Sequence, residues 1–161
     1  MITQDQLIDL LSYDPETGVF RWRVSKARRN PDKIAGCLCK GYHVIKIYNK
    51  IYKSHRLAWL YMHANWPSDE IDHINMVKND NRLCNLREAT SSENKWNTRK
   101  PCTNTSGFKG VTWNKKRKKW WAKIRIFGKE TYLGQFDNPS DAAATYILAA
   151  ETHFHQFARA L

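Results

Sequence analysis

"IDHINMVKNDNRLCNLREATSSENKWN", Ile71 to Asn97, decides how this chain is read. Six of its residues are asparagines, an Asp-His pair sits near its start, and little in it can fill a core. "EIDHI" and "NLREA" have strand character, and the Asn- and Asp-rich stretch between them predicts a loop. Thr90-Ser91-Ser92-Glu93 has capping-box spacing, which predicts a helix beginning near Ser91 and carrying Glu93, Asn94 and Trp96. Strand, polar loop, strand and helix make a ββα unit.

That pattern suits phosphodiester hydrolysis, which needs an activated water and something to neutralise charge on the phosphorane and the leaving oxygen. A histidine at a strand end supplies a base near neutrality. A hard divalent cation supplies the charge and takes oxygen ligands: a carboxylate, an amide oxygen, the phosphate and waters. Adjacent Asp72 and His73 point to opposite sides of an extended segment, or splay apart at its end, so one can hold metal while the other faces phosphate. Asn94, one turn into the helix, can close the metal site from across the unit. Asn85 is then a clamp, bonding either backbone or His73 so that the ring stays aimed.

Upstream, Leu7, Leu10 and Leu11 recur at helical spacing with Thr3 as cap, predicting a helix over residues 1–12. "YDPETGVFRW" places a turn before a strand over Val19–Trp22, and "GYHVIKIYNKIYK" predicts a hairpin turning near Asn49-Lys50. Ser54 is expected to cap the helix "HRLAWLYMH", with Leu57, Leu60 and Tyr61 on one face. His55 reads either as a scaffold hydrogen bond or as a phosphate contact. Arg56 and Arg87 read as phosphate clamps or as ion-pair partners.

Downstream, "NTRKPCTNTSG" is polar, lacks periodicity and reads as a linker. "FKGVTW", "KWWAKIRIF" and "ETYLGQF" follow as three strands. A helix capped at Asn138-Pro139-Ser140 then runs to about Phe154, with Ala142, Ala143, Tyr146, Ala149 and Ala150 as its inner stripe. In "KWWAKIRIF", Trp120, Ala122, Ile124 and Ile126 should pack on that helix, leaving Trp121, Lys123 and Arg125 outward.

The 161 residues carry a net charge of +12, and 42% are hydrophobic. From Lys95 to Lys129 there are twelve Lys or Arg and no Asp or Glu. Such a block favours a polyanion, because each neutralised phosphate releases counterions. Its interleaved aromatics argue against a disordered basic linker. These charges do not line one face of an amphipathic helix, so no membrane surface is expected. No apolar run reaches the ~18 residues of a membrane span, and the start lacks signal-peptide order, so an intracellular, cytoplasmic protein is expected. Cys37, Cys39, Cys84 and Cys102 complete no zinc spacing and read as free thiols.

Two resemblances follow from these residues. "DHIN…NDNR…NLREAT…EN" resembles the HNH nuclease ββα-metal motif, in the variant whose last position is Asn. With "YDPETGVFRW", "GYHVIKIYNKIYKSHRLAWLY" and "WPSDEIDHIN", the chain is similar to phage-encoded HNH endonucleases, homing or free-standing, over most of residues 10–100. The resemblance implies His73 as general base, Asp72 and Asn94 as metal ligands, and Asn85 as the structural middle residue. An amide oxygen at Asn94 favours Mg²⁺ or Mn²⁺, one ion per active site.

"SGFKGVTW…KWWAKIRIF…ETYLGQFDNPSDAAATYILAA" is similar to the Apetala or ethylene-response-factor type DNA-binding domain over residues 106–157. Thr112, Trp121, Lys123, Arg125 and Tyr132 match that family's groove-facing sites, while Lys115, Arg117 and Lys119 would serve phosphates. Plant members usually have Arg at the place of Thr112 and an acid at that of Lys123, so base preference does not transfer.

The expected fold is therefore α+β: an N-terminal ββα-metal nuclease domain (1–97, core about 68–97), a linker (98–106), and a three-stranded antiparallel sheet packed on one helix (107–161). The expected activity is metal-dependent cleavage of double-stranded DNA, in a phage-infected or bacterial cell, by a monomer or a DNA-assembled dimer. The main rival is a sequence-specific regulator whose nuclease unit is inactive; a third reading is an RNA-binding or structural accessory protein.

Overall fold

The computed structural model describes residues 1–23, 31–98, 103–126 and 128–158. The chain divides into two compact units, Met1–Thr90 and Ser91–Leu161, each mixing helices with small antiparallel sheets. The sequence boundary at residue 97 and this one at Thr90 differ by the helix that follows the Asp-His region. Residues 99–102 of the expected linker, with Cys102, lie outside the described residues.

In the first unit, helix α1 (Gln4–Leu10) starts at a capping box in which Thr3 and Gln6 satisfy each other's backbone N–H groups. It is shorter than the predicted helix, because Leu11 is claimed by strand β1 (Leu11–Asp14), where it pairs with Trp22 of β2 (Val19–Trp22). The Asp14–Gly18 turn between them has a longer reach than a simple hairpin tip. Gly18 has φ of +71°, and a Cβ there would stand 2.5 Å from Arg82 N and Asn81 C, so only glycine lets this turn lie against the Asn81 backbone. Leu83 N also donates to Pro15 O at 3.1 Å.

Strands β3 (Cys37–Cys39), β4 (Tyr42–Ile47) and β5 (Lys50–Lys53) form an antiparallel sheet in that order. The turn falls on Tyr48 and Asn49, one residue earlier than expected. Both have positive φ, 46° and 63°, the conformation a two-residue hairpin turn demands. Helix α2 (Ser54–His63) follows directly. Ser54 is its first residue and not its cap: Lys53 occupies the cap without a side-chain bond, and Ser54 Oγ pairs with His43 Nδ1 at 2.9 Å. Leu7, Leu11, Phe20, Ile45, Ile47, Leu57 and Leu60 fill the core. Strands β6 (Glu70–His73) and β7 (Leu86–Ala89) add a two-stranded sheet, joined by a polar loop that ends in a 3₁₀ turn, Leu83–Asn85.

The second unit begins with the six-residue helix α3 (Ser91–Trp96). Strands β8 (Val111–Asn114), β9 (Lys119–Ile126) and β10 (Lys129–Phe136) form an antiparallel sheet with β9 central, and helix α4 (Pro139–Phe154) packs on it. Val111, Ala122, Ala142 and Ala143 meet at this interface. Pro at the start of α4 needs no N–H partner, and Asn138 caps without a side-chain bond to the helix backbone. Ala142, Ala143, Tyr146, Ala150 and Phe154 are the buried residues of its inner stripe. Among the described residues no helix is long and apolar enough to cross a membrane.

Candidate active site

Across the β6–β7 pair, Asp72 stands opposite Arg87, and His73 opposite Leu86. Opposed residues share a face and successive residues alternate, so Asp72 and His73 project to opposite sides of the strand. Asp72 is 4% exposed, and Arg87 donates to its Oδ2 from both Nε, at 2.9 Å, and Nη2, at 2.7 Å. A carboxylate removed from water needs such a cationic partner. Of the two sequence readings of Arg87, the structure shows the ion pair.

His73 is buried, with Nε2 3.4 Å from Asn81 Oδ1. Asn81 donates its own amide N–H to Asn79 O at 3.3 Å, which turns Oδ1 toward the imidazole. In the tautomer protonated at Nε2, that nitrogen donates to Asn81 Oδ1. Asn81 is itself 3% exposed, and Tyr13 Oη donates to its carbonyl at 2.7 Å. Thus the β1–β2 hairpin braces the residue that orients His73.

Asn85 was expected to clamp either backbone or the His73 ring, and it clamps backbone. Its Oδ1 accepts from Asn75 N at 2.9 Å and its Nδ2 donates to Asp80 O at 2.8 Å, which ties the polar loop to the 3₁₀ turn that precedes β7. Asp80 receives the Arg82 guanidinium and Asn75 Nδ2, and these bonds, the Arg82 one foremost, lower its pKa to about 2. The asparagines are therefore a frame. Asn81 is the member that sequence spacing does not single out, since several asparagines in the loop look equivalent and only burial distinguishes one.

His55, on the first turn of α2, is 4% exposed and meets the His73 ring edge-to-face, centroids 4.8 Å apart at 83°. Among the described residues its Nδ1 is buried without a hydrogen-bond partner. Burial, with smaller contributions from His73, Lys53 and Arg56, pushes its pKa down to about 3. His73 is lowered too, chiefly by burial, with the Asn81 bond opposing. Both imidazoles are thus neutral at neutral pH. Tyr42 lies beside both rings, at 5.5 Å from His55 and 6.2 Å from His73, and the ammonium groups of Lys53 and Lys78 sit over it at 4.4 and 5.1 Å. Neither Tyr42 nor these lysines was a candidate from sequence, because nothing local marks their convergence. Arg56 donates to Asp69 O at 2.9 Å and lies against Trp66.

Among the described residues no group of three or more His, Cys, Asp or Glu side chains is arranged to hold a metal ion. Cys37, Cys39 and Cys84 are exposed free thiols. Asn94 belongs to α3 in the second unit, while Asp72, His73 and Asn85 belong to the first.

On the sheet of the second unit, register places Thr112 opposite Trp121, Tyr132 opposite Lys123, and Glu130 opposite Arg125. These residues share one face, as alternation requires. Trp121 and Tyr132 meet edge-to-face at 5.4 Å, and Lys123 lies over Trp121. Arg117, Trp121, Lys123, Glu130, Tyr132 and Gln135 line a shallow concavity of about 440 Å³. Two of the expected DNA-contacting cations are paired: Lys123 with Glu130 at 2.7 Å, and Lys119 with Asp137. Lys115 and Arg117 are exposed in the β8–β9 turn.

A strand-end Asp-His pair, a braced Asn loop and a returning strand place residues 52–96 in a known class, and this segment matches the family model of the HNH endonuclease. Over 118 residues the chain is 36% identical to Protein 3.8 of Escherichia phage T7, covering 71% of this chain and 97% of that protein. The chain belongs to the family of that phage protein and carries an HNH endonuclease domain. No solved structure matches it.

Proposed function

We propose that this protein is a metal-dependent endonuclease that hydrolyses phosphodiester bonds in double-stranded DNA, with His73 as general base. The observation that carries the reading is the placement of His73: a buried imidazole beside the Asn81 amide, at the end of a strand whose preceding residue is a buried carboxylate. A base must be neutral to accept a proton, and burial keeps it so.

The donors suit a hard cation. Asp72 offers a carboxylate and Asn94 an amide oxygen, a set that fits Mg²⁺ or Mn²⁺ completed by waters and phosphate and does not fit a soft ion. The resemblance assigns such an ion to Asp72 and Asn94, and when bound its charge would offset that of the phosphorane and the departing 3′-oxygen. His73 takes the proton of the attacking water as its oxygen bonds to phosphorus and the P–O3′ bond breaks; the 3′-oxygen takes a proton from solvent, leaving 5′-phosphate and 3′-hydroxyl ends. Asn85 and Asn81 keep the loop and the ring in place.

The C-terminal sheet selects where cleavage occurs. Thr112, Trp121, Lys123, Arg125 and Tyr132 form the face that enters a major groove, and Lys115, Arg117 and Lys119 neutralise phosphates beside it. The resemblance to the Apetala type supports this, as does the single face shown by the register.

One observation favours the rival, a DNA-binding regulator with an inactive nuclease: the Arg87 guanidinium already holds Asp72. Plasmid incubated with Mg²⁺, with and without EDTA, separates the two. Metal-dependent nicking or linearisation is expected of wild type and not of His73→Ala. Retarded but intact DNA from wild type would establish the regulator.

A further inference from the structure

The helix that carries Asn94 is built into the C-terminal unit. Helix α3 has six residues, none of them buried, and a helix of that length has little stability of its own. Its neighbours hold it. Trp96 stacks on Phe154, centroids 4.2 Å apart and planes within 16°. Lys109 Nζ donates to Trp96 O at 2.7 Å and to Thr98 O at 3.0 Å, placing an ammonium on the carbonyl end of the helix. Phe154 is 3% exposed at the end of α4, and α4 is anchored to the sheet through Ala142 and Ala143. A continuous chain of contacts therefore runs from β9 through α4 and Phe154 to Trp96, two residues from Asn94.

We infer that Lys109 and Phe154 are positioning residues for Asn94, the helix-borne member of the proposed ligand set. This rests on the proposed role of Asn94. It changes what the second unit is: the nuclease segment matched by family ends at Trp96, yet its last helix depends on residues beyond that point. Both residues act through α3, and neither touches the reacting atoms.

The test is Mn²⁺ affinity of the full chain by calorimetry, beside duplex affinity in EDTA and the Mn²⁺ dependence of cleavage. Lys109→Met and Phe154→Leu should each weaken Mn²⁺ binding about tenfold, the range for groups that orient a metal ligand. Duplex affinity in EDTA should hold, and high Mn²⁺ should restore cleavage. Asn94→Ala should weaken Mn²⁺ alike, and adding Phe154→Leu to it should cost nothing more, because the two act through one atom. Wild-type Mn²⁺ affinity in both positioning variants, with Asn94→Ala impaired, overturns the inference and leaves the ligand assignment standing. Wild-type affinity in Asn94→Ala overturns the assignment itself, and the inference with it. Should Phe154→Leu lose duplex binding through unfolding of its unit, Lys109→Met decides alone.

Discussion

Asp72 and Arg87 face each other across β6 and β7, with two guanidinium N–H groups converging on one carboxylate oxygen. Both side chains are largely buried, at 5% and 14% exposure. Removing the cation strands a charge away from water. Arg87→Met should destabilise the metal-free protein by about 3–5 kcal/mol, as for other broken buried pairs. Mn²⁺ should then raise the melting temperature of the variant more than that of wild type, because the ion replaces the lost charge. Calorimetric scans with EDTA and with Mn²⁺ check both signs. Equal shifts would mean that Asp72 does not see the ion.

His73→Ala should lower the cleavage rate by about 10²–10⁴ with duplex affinity in EDTA unchanged, the usual worth of a general base. Its environment also sets the pH dependence. Burial lowers the His73 pKa, and the Asn81 bond partly opposes it. The acidic limb of kcat/KM should therefore lie below the ordinary histidine range, with activity retained at mildly acidic pH. Asn81→Ala removes the opposing bond, so its limb should move further to acid while the maximal rate falls. A limb that moves toward neutral pH in that variant would contradict the hydrogen-bond assignment.

His55 couples the site to stability. Its pKa is about 3 in the fold against 6.5 for a free histidine. At pH values between these the unfolded chain binds the extra proton, so stability is fully present above about 6.5 and falls as pH drops toward 3. The contribution to the slope is up to about 1.4 kcal/mol per pH unit. His55→Phe should flatten that limb and leave stability at pH 7 equal or higher, since it also removes a buried polar atom without a partner. Urea titrations across the range measure both effects.

Glu130 sits on the proposed DNA face and holds Lys123. A polyanion must compete with this carboxylate, so Glu130→Gln should tighten duplex binding severalfold and steepen its salt dependence. Arg117→Ala should weaken all sequences alike and reduce the salt slope by about one ion. Filter binding over a salt series distinguishes the two. Unchanged binding by both variants would remove the sheet face from DNA recognition.

Short-range patterns explain most of the elements. The capping box at Thr3, the proline opening α4, the strand alternation of β9 and the start of α3 at Ser91 all depend on residues within one or two turns, and such interactions are written in local spacing. The Asp72-His73 alternation belongs to this group, because a strand's period is a property of its backbone. Where a long-range partner intervened, local reading erred. Leu11 left the helix for Trp22, and Ser54 gave its hydroxyl to His43 in place of a cap.

The choice among the asparagines shows the same division most clearly. That the loop would be an amide frame around His73 is legible in its composition. That Asn81 meets the ring while Asn85 ties the backbone depends on burial beneath the β1–β2 hairpin, 68 residues away through Tyr13. The pairing of Asp72 with Arg87, the packing of His55 on His73 and the anchoring of α3 by Phe154 are likewise products of chain segments brought together from afar. Spacing along the chain encodes backbone period and capping; which polar group is desolvated, and beside what, exists only once the core has closed.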